Sequence, residues 1–267
     1  MSKLGNKIRK ITRVEPAPLG FGVAAARPRP PSLLLMVHGP GSAMRPPANL
    51  ADSGVDALLL SLNPEKDAAE AARWAKAAGD LPCGVRVPSA ASETVAAIKQ
   101  AGIDFLAFEA ESASAHVLLD TEMGYVLVLS GPDASGDTLL RAMADFSLDA
   151  LWLPDWHGPL TVQSQLELRR IYLLARTPLL LPVRADIGAG DLECLRDTGV
   201  VGVAVDGHEH GAWDRLPALR KAIDALPPPR VRRREERPDA VLPARTLVPS
   251  SAEEEEEEEE GEGEDFP

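Results

Sequence analysis

Two cysteines, Cys83 and Cys194, are all that the 267 residues contain. They are too few for a disulfide framework, and their spacing suits no metal cluster. No Cys-x-x-Cys occurs, which removes iron–sulfur ligation. Aromatic residues make up only 4% of the chain, so a core has to be built from Leu, Val and Ala. No apolar run nears the ~18 residues that a membrane-spanning helix requires. The opening MSKLGNKIRK lacks the apolar stretch of a secretory signal. These absences point to a reducing, cytoplasmic setting. Both cysteines then read as small core residues, Cys83 entering a strand and Cys194 within a helix. No lysine falls in a run that reads as a strand; Lys66, Lys76 and Lys99 read as helical. That argues against a Schiff-base aldolase, which needs a buried strand lysine. A Gly-x-Ser-x-Gly nucleophile elbow is also missing.

Charge is present but unevenly placed. The net charge is −13, yet eleven acidic residues sit among the last fifteen, and without them the remainder stands near −2. Basic residues gather at the other end (Lys3, Lys7, Arg9, Lys10, Arg13) and in RVRRREER at 230–237. These basic clusters are short and carry no interleaved aromatics, so nucleic-acid binding is not expected. Leu4, Ile8 and Ile11 recur at helical spacing among the first cations. That is a basic amphipathic pattern, suited to an anionic surface, a partner or the protein's own body.

The strongest signal is an internal repeat. GVDALLL starts at Gly54, GIDFLAF at Gly102, SLDALWL at Ser147 and GVVGVAV at Gly199, at intervals of 48, 45 and 52 residues. Each reads as a helix end followed at once by an apolar strand, with glycine suited to the left-handed helix stop. A second set lies between them: SLLLMV (32–37), CGVRV (83–87), YVLVL (125–129) and PLLLPV (178–183). Continuous Leu/Val runs of this kind mark parallel strands buried on both faces.

Helical segments fill the longer intervals. Asn63 reads as the cap of a helix that starts at Pro64 and ends near Gly79. Ser92 caps SETVAAIKQAG. Residues 161–176 form a helix with Leu166, Ile171 and Leu174 on its inner face. Residues 191–199 form a short helix capped by Asp191, and 214–226 one that Pro227 to Pro229 terminate. The connections after the first, fourth and fifth strands have room for only one or two turns. Eight strands alternating with helices predict an α/β fold, a single compact (β/α)8 TIM-type barrel over 32–226. Residues 1–31 are a basic, then Pro-rich extension. Residues 227–267 are a Pro/Arg and poly-Glu tail, whose like charges predict disorder.

In such a barrel the chemistry lies at the C-terminal ends of the strands. The polar residues expected there are His38, Ser61, Asn63, Arg86, Glu109, Glu111, Ser130, Asp155, His157, Arg184, Asp186, Asp206, His208, Glu209 and His210. The stretch ADIGAGD places two glycines just ahead of a helix start. Free backbone N–H groups and the helix dipole make such a turn an anion site. In this, LLLPVRADIGAGDLECLRDTGVVGVAVDG (179–207) resembles the phosphate-binding barrels, the ribulose-phosphate-binding and FMN-linked groups. There, turns after the seventh and eighth strands grip one phosphate. The resemblance implies Gly188, Ala189 and Gly190 as backbone donors, Gly207 as leading the second turn, and FMN as one conceivable cofactor. Here, however, the second turn is DGHEHG (206–211), and Asp206 and Glu209 would repel a phosphate. Arg184, neighboured by Asp186, offers an offsetting cation.

Two other constellations compete. Glu109 and Glu111 alternate, so an extended segment would turn both to one side. They read either as an acid/base couple with Arg86 nearby, or as an ion pair of Arg86 with one carboxylate. Asp155, His157, His208 and His210 are types that hold a divalent metal able to activate water. The favoured expectation is a barrel that binds a small anionic, phosphorylated ligand, with Glu109 as general base. The alternatives are a non-catalytic scaffold acting through its charged tails, the acidic one meeting a basic partner or the basic N-terminus, and a metal-dependent hydrolase.

Overall fold

The computed structural model describes residues 2–12 and 32–228, apart from 45–46, 48–49, 64–65, 132–135 and 157–158. The Pro-rich part of the N-terminal extension, the poly-Glu tail, Pro64 and His157 lie outside the described residues.

Eight parallel strands close into a barrel in chain order. They are β1 (Leu34–Pro40), β2 (Ala57–Ser61), β3 (Cys83–Arg86), β4 (Phe105–Glu109), β5 (Gly124–Val128), β6 (Ala150–Trp152), β7 (Leu179–Val183) and β8 (Val200–Asp206). β8 returns to β1, with His38 level with Asp206. Helices α1 (Lys3–Thr12), α2 (Ala68–Ala78), α3 (Ser92–Gln100), α4 (Asp137–Met143), α5 (Val162–Ala175), α6 (Ala189–Thr198) and α7 (Ala212–Asp224) complete the regular elements, with short 3-10 turns after β1 and β4. The predicted TIM-type barrel is therefore the fold.

The two-residue period of each strand splits the core in two. Leu35, Val37, Leu58 and Leu60 face outward and pack under the helices. Leu34, Met36, Leu59, Phe105, Val126, Trp152, Leu180 and Ala204 face inward and fill the barrel. With few aromatics available, one ring fills the lower barrel: a methyl on Gly84 would overlap the Phe105 side chain. Cys83 faces outward into the core, where burial pushes its thiol up to about 12.

The basic N-terminal pattern docks against the protein's own body. Leu4 and Ile8 of α1 belong to the inner cluster and close the barrel at the N-terminal ends of its strands. Three aspartates hold α1, each standing one residue ahead of an even-numbered strand. Asp104 accepts the Lys3 and Leu4 N–H groups at 2.8 and 2.9 Å, satisfying donors that a helix start leaves free. Asp149 accepts from Ser2 Oγ at 2.7 Å. Asp56 faces Lys7 at 3.6 Å and Arg220 at 2.8 Å. These aspartates are the third residues of the GVD, GID and SLD repeats.

Several helix expectations need correction. α3 has Ala91 as its cap residue, and Ser92, expected to cap it, is its first helical residue. The helix after β2 starts at Ala68, behind Asp67, instead of at Pro64. The Asn63 carbonyl accepts from Lys66 and Asp67 N–H, and that turn delays the helix. α6 starts at Ala189, with Gly188 as its cap residue and no side-chain cap. Asp191 is thus the third helical residue and does not cap it. On α5 the inner stripe is Leu168, Ile171 and Ala175, whereas Leu166 is 62% exposed. Residues 168, 171 and 175 keep the i, i+3, i+7 spacing that 166 and 171 break.

Candidate anion-binding cavity

The inward row of each strand leads to its C-terminal end, so alternation alone carries certain side chains to the barrel mouth. These include His38 of β1, Ser61 of β2, Arg86 of β3, Trp152 of β6 and Asp206 of β8. They line a cavity of about 670 Å³. Leu59 and Trp152 lie deep in it, and the His38 ring stands edge-on to Trp152 at 5.2 Å. Pro154, Trp156, Pro159, Leu160, Ile187 and Leu195 add an apolar wall. Arg184, Asp186, Gly188 and Asp191, from the β7–α6 connection, and Glu209, after β8, supply the rest of the polar lining.

The β7–α6 connection is a tight turn. Ile187 N–H donates to the Arg184 carbonyl at 3.2 Å, and the Gly188 carbonyl accepts from Leu192 N–H at 3.1 Å. Helix geometry leaves the N–H groups of Ala189, Gly190 and Asp191 without intrahelical acceptors. The space beside them is open: a Cβ on Gly190 would meet nothing within 4 Å, and one on Gly188 only Asp191 Oδ2 at 3.7 Å. Packing therefore does not require glycine at either position.

Both arginines are already engaged. Arg184 grips Asp186 with two hydrogen bonds, at 2.9 and 3.0 Å, in a pair exposed to water. The guanidinium bonds hold the Asp186 carboxyl below the usual carboxylate range and push Arg184 upward. Arg86 bonds Glu109 Oε1 at 3.0 Å. Arg86 lines the cavity and Glu109 stands behind it, outside the lining. Glu111 lies in the 3-10 turn Ala110–Ser112. The extended segment that would have aligned it with Glu109 ends at Glu109.

Gly207 has a packing role. Its N–H donates to the His38 carbonyl at 2.8 Å, and a Cβ there would strike Met44 Sδ at 2.5 Å. Asp155 accepts from Gly131 N–H at 3.0 Å, and Asp206 from His208 N–H at 2.9 Å. Among the described residues no three His, Cys, Asp or Glu side chains gather closely enough to hold a metal. What sequence reading missed is the part of the apolar wall made by Leu160, Ile187 and Leu195, which no periodicity marks. It also missed the Arg184–Asp186 pairing, which the R-x-D spacing on one side of an extended segment does signal.

No family model matches the chain, and no curated protein matches it. Solved structures do. 3-Keto-L-gulonate-6-phosphate decarboxylase from Vibrio cholerae superposes with a TM-score of 0.54 at 11% identity, over 73% of this chain and 99% of that one. A mutant tryptophan synthase α-subunit from Pyrococcus furiosus gives 0.52 at 14% identity, over 72% and 97%. Orotidine 5'-monophosphate decarboxylase from Methanocaldococcus jannaschii, complexed with the inhibitor BMP, gives 0.50 at 14% identity, over 72% and 98%. At such identities the likeness establishes architecture alone, that of a closed (β/α)8 barrel.

Proposed function

We propose that the barrel binds a small phosphorylated molecule at the C-terminal ends of its strands, with the phosphate on the first turn of α6. One observation carries this reading: the open Gly188–Asp191 turn, which no side chain caps, lines the same cavity as Arg86, His38 and Ser61. Two of the structural neighbours are named for phosphate esters, which supports the reading by analogy of fold. A cavity open to about 670 Å³ also speaks against a barrel filled to its rim and kept only as a scaffold. In this reading a ligand anion draws Arg86 toward itself, and Glu109, released from it, accepts a proton. FMN fits the residues poorly. The pyrimidine edge of a flavin needs uncommitted donors or positive charge, and the surplus charges of this cavity are the carboxylates Asp191, Asp206 and Glu209.

Ala189→Pro tests the turn. Proline is tolerated at the first helical position, and Gly188, at φ −72° and ψ 152°, already has the conformation that a residue before proline prefers. The substitution deletes one N–H donor and leaves the helix intact. Titration with inorganic phosphate and glycerol 3-phosphate should show affinity reduced roughly tenfold, as for a lost hydrogen bond to a charged group, with an unchanged melting temperature. Unaltered phosphate binding in this variant would remove the turn from the site.

A further inference from the structure

The four tryptophans of the chain divide into two pairs. Trp74 donates its indole N–H to the Gly41 carbonyl at 3.1 Å, and Trp213 to the Gly207 carbonyl at 3.2 Å. Trp152 and Trp156 both line the cavity, and among the described residues neither indole N–H has an acceptor. Trp156 is half-buried, so water can serve it. Trp152 is only 2% exposed. An indole buried to that degree ordinarily finds a partner for its N–H. Here the partner has to come from whatever fills the cavity.

The surroundings show what would carry that acceptor. Apart from Leu59, the apolar lining comes from one arc of the barrel: β6, its neighbour β7 and the chain that follows each. Trp156, Leu160 and Ile187 are partly buried and pack on the core behind them, so the surface they keep open is a fixed apolar wall. The opposite arc is polar, with Ser61 of β2 level with Arg86 of β3. A phosphate group fills a small part of about 670 Å³. The remaining space beside the apolar wall suits a flat hydrocarbon body. One buried donor serves one acceptor atom, short of what the pyrimidine edge of a flavin requires.

We propose that the organic part of the ligand is an aromatic ring system bearing a carbonyl-type oxygen, with the rings on the Trp156, Leu160 and Ile187 wall and the oxygen accepting from the Trp152 N–H. This specifies the phosphorylated ligand proposed above, and only its phosphate end rests on that reading. Calorimetric titration of the full chain with 4-methylumbelliferyl phosphate, 1-naphthyl phosphate, glycerol 3-phosphate, 4-methylumbelliferone and 1-naphthol separates the parts. 1-Naphthyl phosphate should bind roughly a hundredfold tighter than glycerol 3-phosphate, from the apolar area it buries. 4-Methylumbelliferyl phosphate, similar in size but with a ring carbonyl, should gain roughly a further tenfold. Trp152→Phe should abolish that further gain and keep the naphthyl preference. Trp156→Ala should cut the naphthyl preference to about tenfold. If Trp152→Phe proves unstable, the two aryl esters on the parent chain still decide. Equal affinity for those two esters would overturn the Trp152 assignment. Equal affinity for aryl and glycerol esters would overturn the ring body and leave the phosphate reading standing. Phenols that bind as tightly as their phosphates would uphold the ring body and overturn the phosphate reading. Failure of all five probes would overturn both.

Discussion

Gly84 has no side chain because the Phe105 ring occupies the place one would take. Overpacking of this kind costs about 1–3 kcal/mol. Gly84→Ala should therefore lower the melting temperature, and Phe105→Leu in the same chain should restore part of the loss. Asp149 carries a different kind of tension. Burial pushes its carboxyl above the usual range, more than the Ser2 hydroxyl and the Arg9 charge pull it down. Its folded form therefore holds a proton more tightly than the unfolded chain does. Ionisation of this side chain opposes folding, so its contribution to stability falls as pH rises from the ordinary carboxylate range through the raised value. Asp149→Asn should match the parent at low pH and equal or exceed it near neutrality, steepening the rise of the melting temperature from acid to neutral pH. A larger loss near neutrality than at low pH would contradict the sign. At this scale the sequence was partly legible. Arg86 and Glu109 were readable as an ion pair from their adjacent strands. The role of the repeats' aspartates was hidden, because a reading of apolar periodicity passes over the polar residue that opens each run.

Helix α1 illustrates how an element acquires a purpose that its own sequence leaves open. Its apolar stripe suited a membrane surface, a partner or the barrel, and the socket formed by Asp56, Asp104 and Asp149 decides for the barrel. Leu4 is fully buried there, so Leu4→Ala should cost about 2–5 kcal/mol. Hydrogen exchange should show α1 losing protection ahead of the strands. Helix α5 provides a contrast within one element. Leu168→Ala should destabilise by about 2–5 kcal/mol, whereas Leu166→Ala, on the exposed side, should stay within about 0.5 kcal/mol. Chemical denaturation of the two variants distinguishes the observed inner stripe from the one expected of the sequence. The helix starts were the least legible features, because capping depends on which carbonyl the preceding loop has already used. Asn63 spends its carbonyl on a turn, and Gly188 starts α6 without any side chain at all.

At the scale of the molecule, the barrel was readable because four helix-to-strand junctions recur at nearly even spacing, and only alternating parallel units generate such a series. The cavity was legible as a set of strand ends but not as a balance of charge, since pairing depends on rotamers that spacing does not specify. The base of the barrel has a consequence for how the protein is made. Ser2 meets Asp149 across 147 residues of chain. On a ribosome, the first helix is finished long before its last acceptor exists, a delay of about 10–30 s at usual elongation rates. For that interval a cationic, one-sidedly greasy peptide waits outside the exit tunnel with only part of its socket translated. Refolding from denaturant, where every acceptor is present from the start, skips the wait. The nascent chain and the diluted chain therefore begin from different problems, although both end in the same barrel.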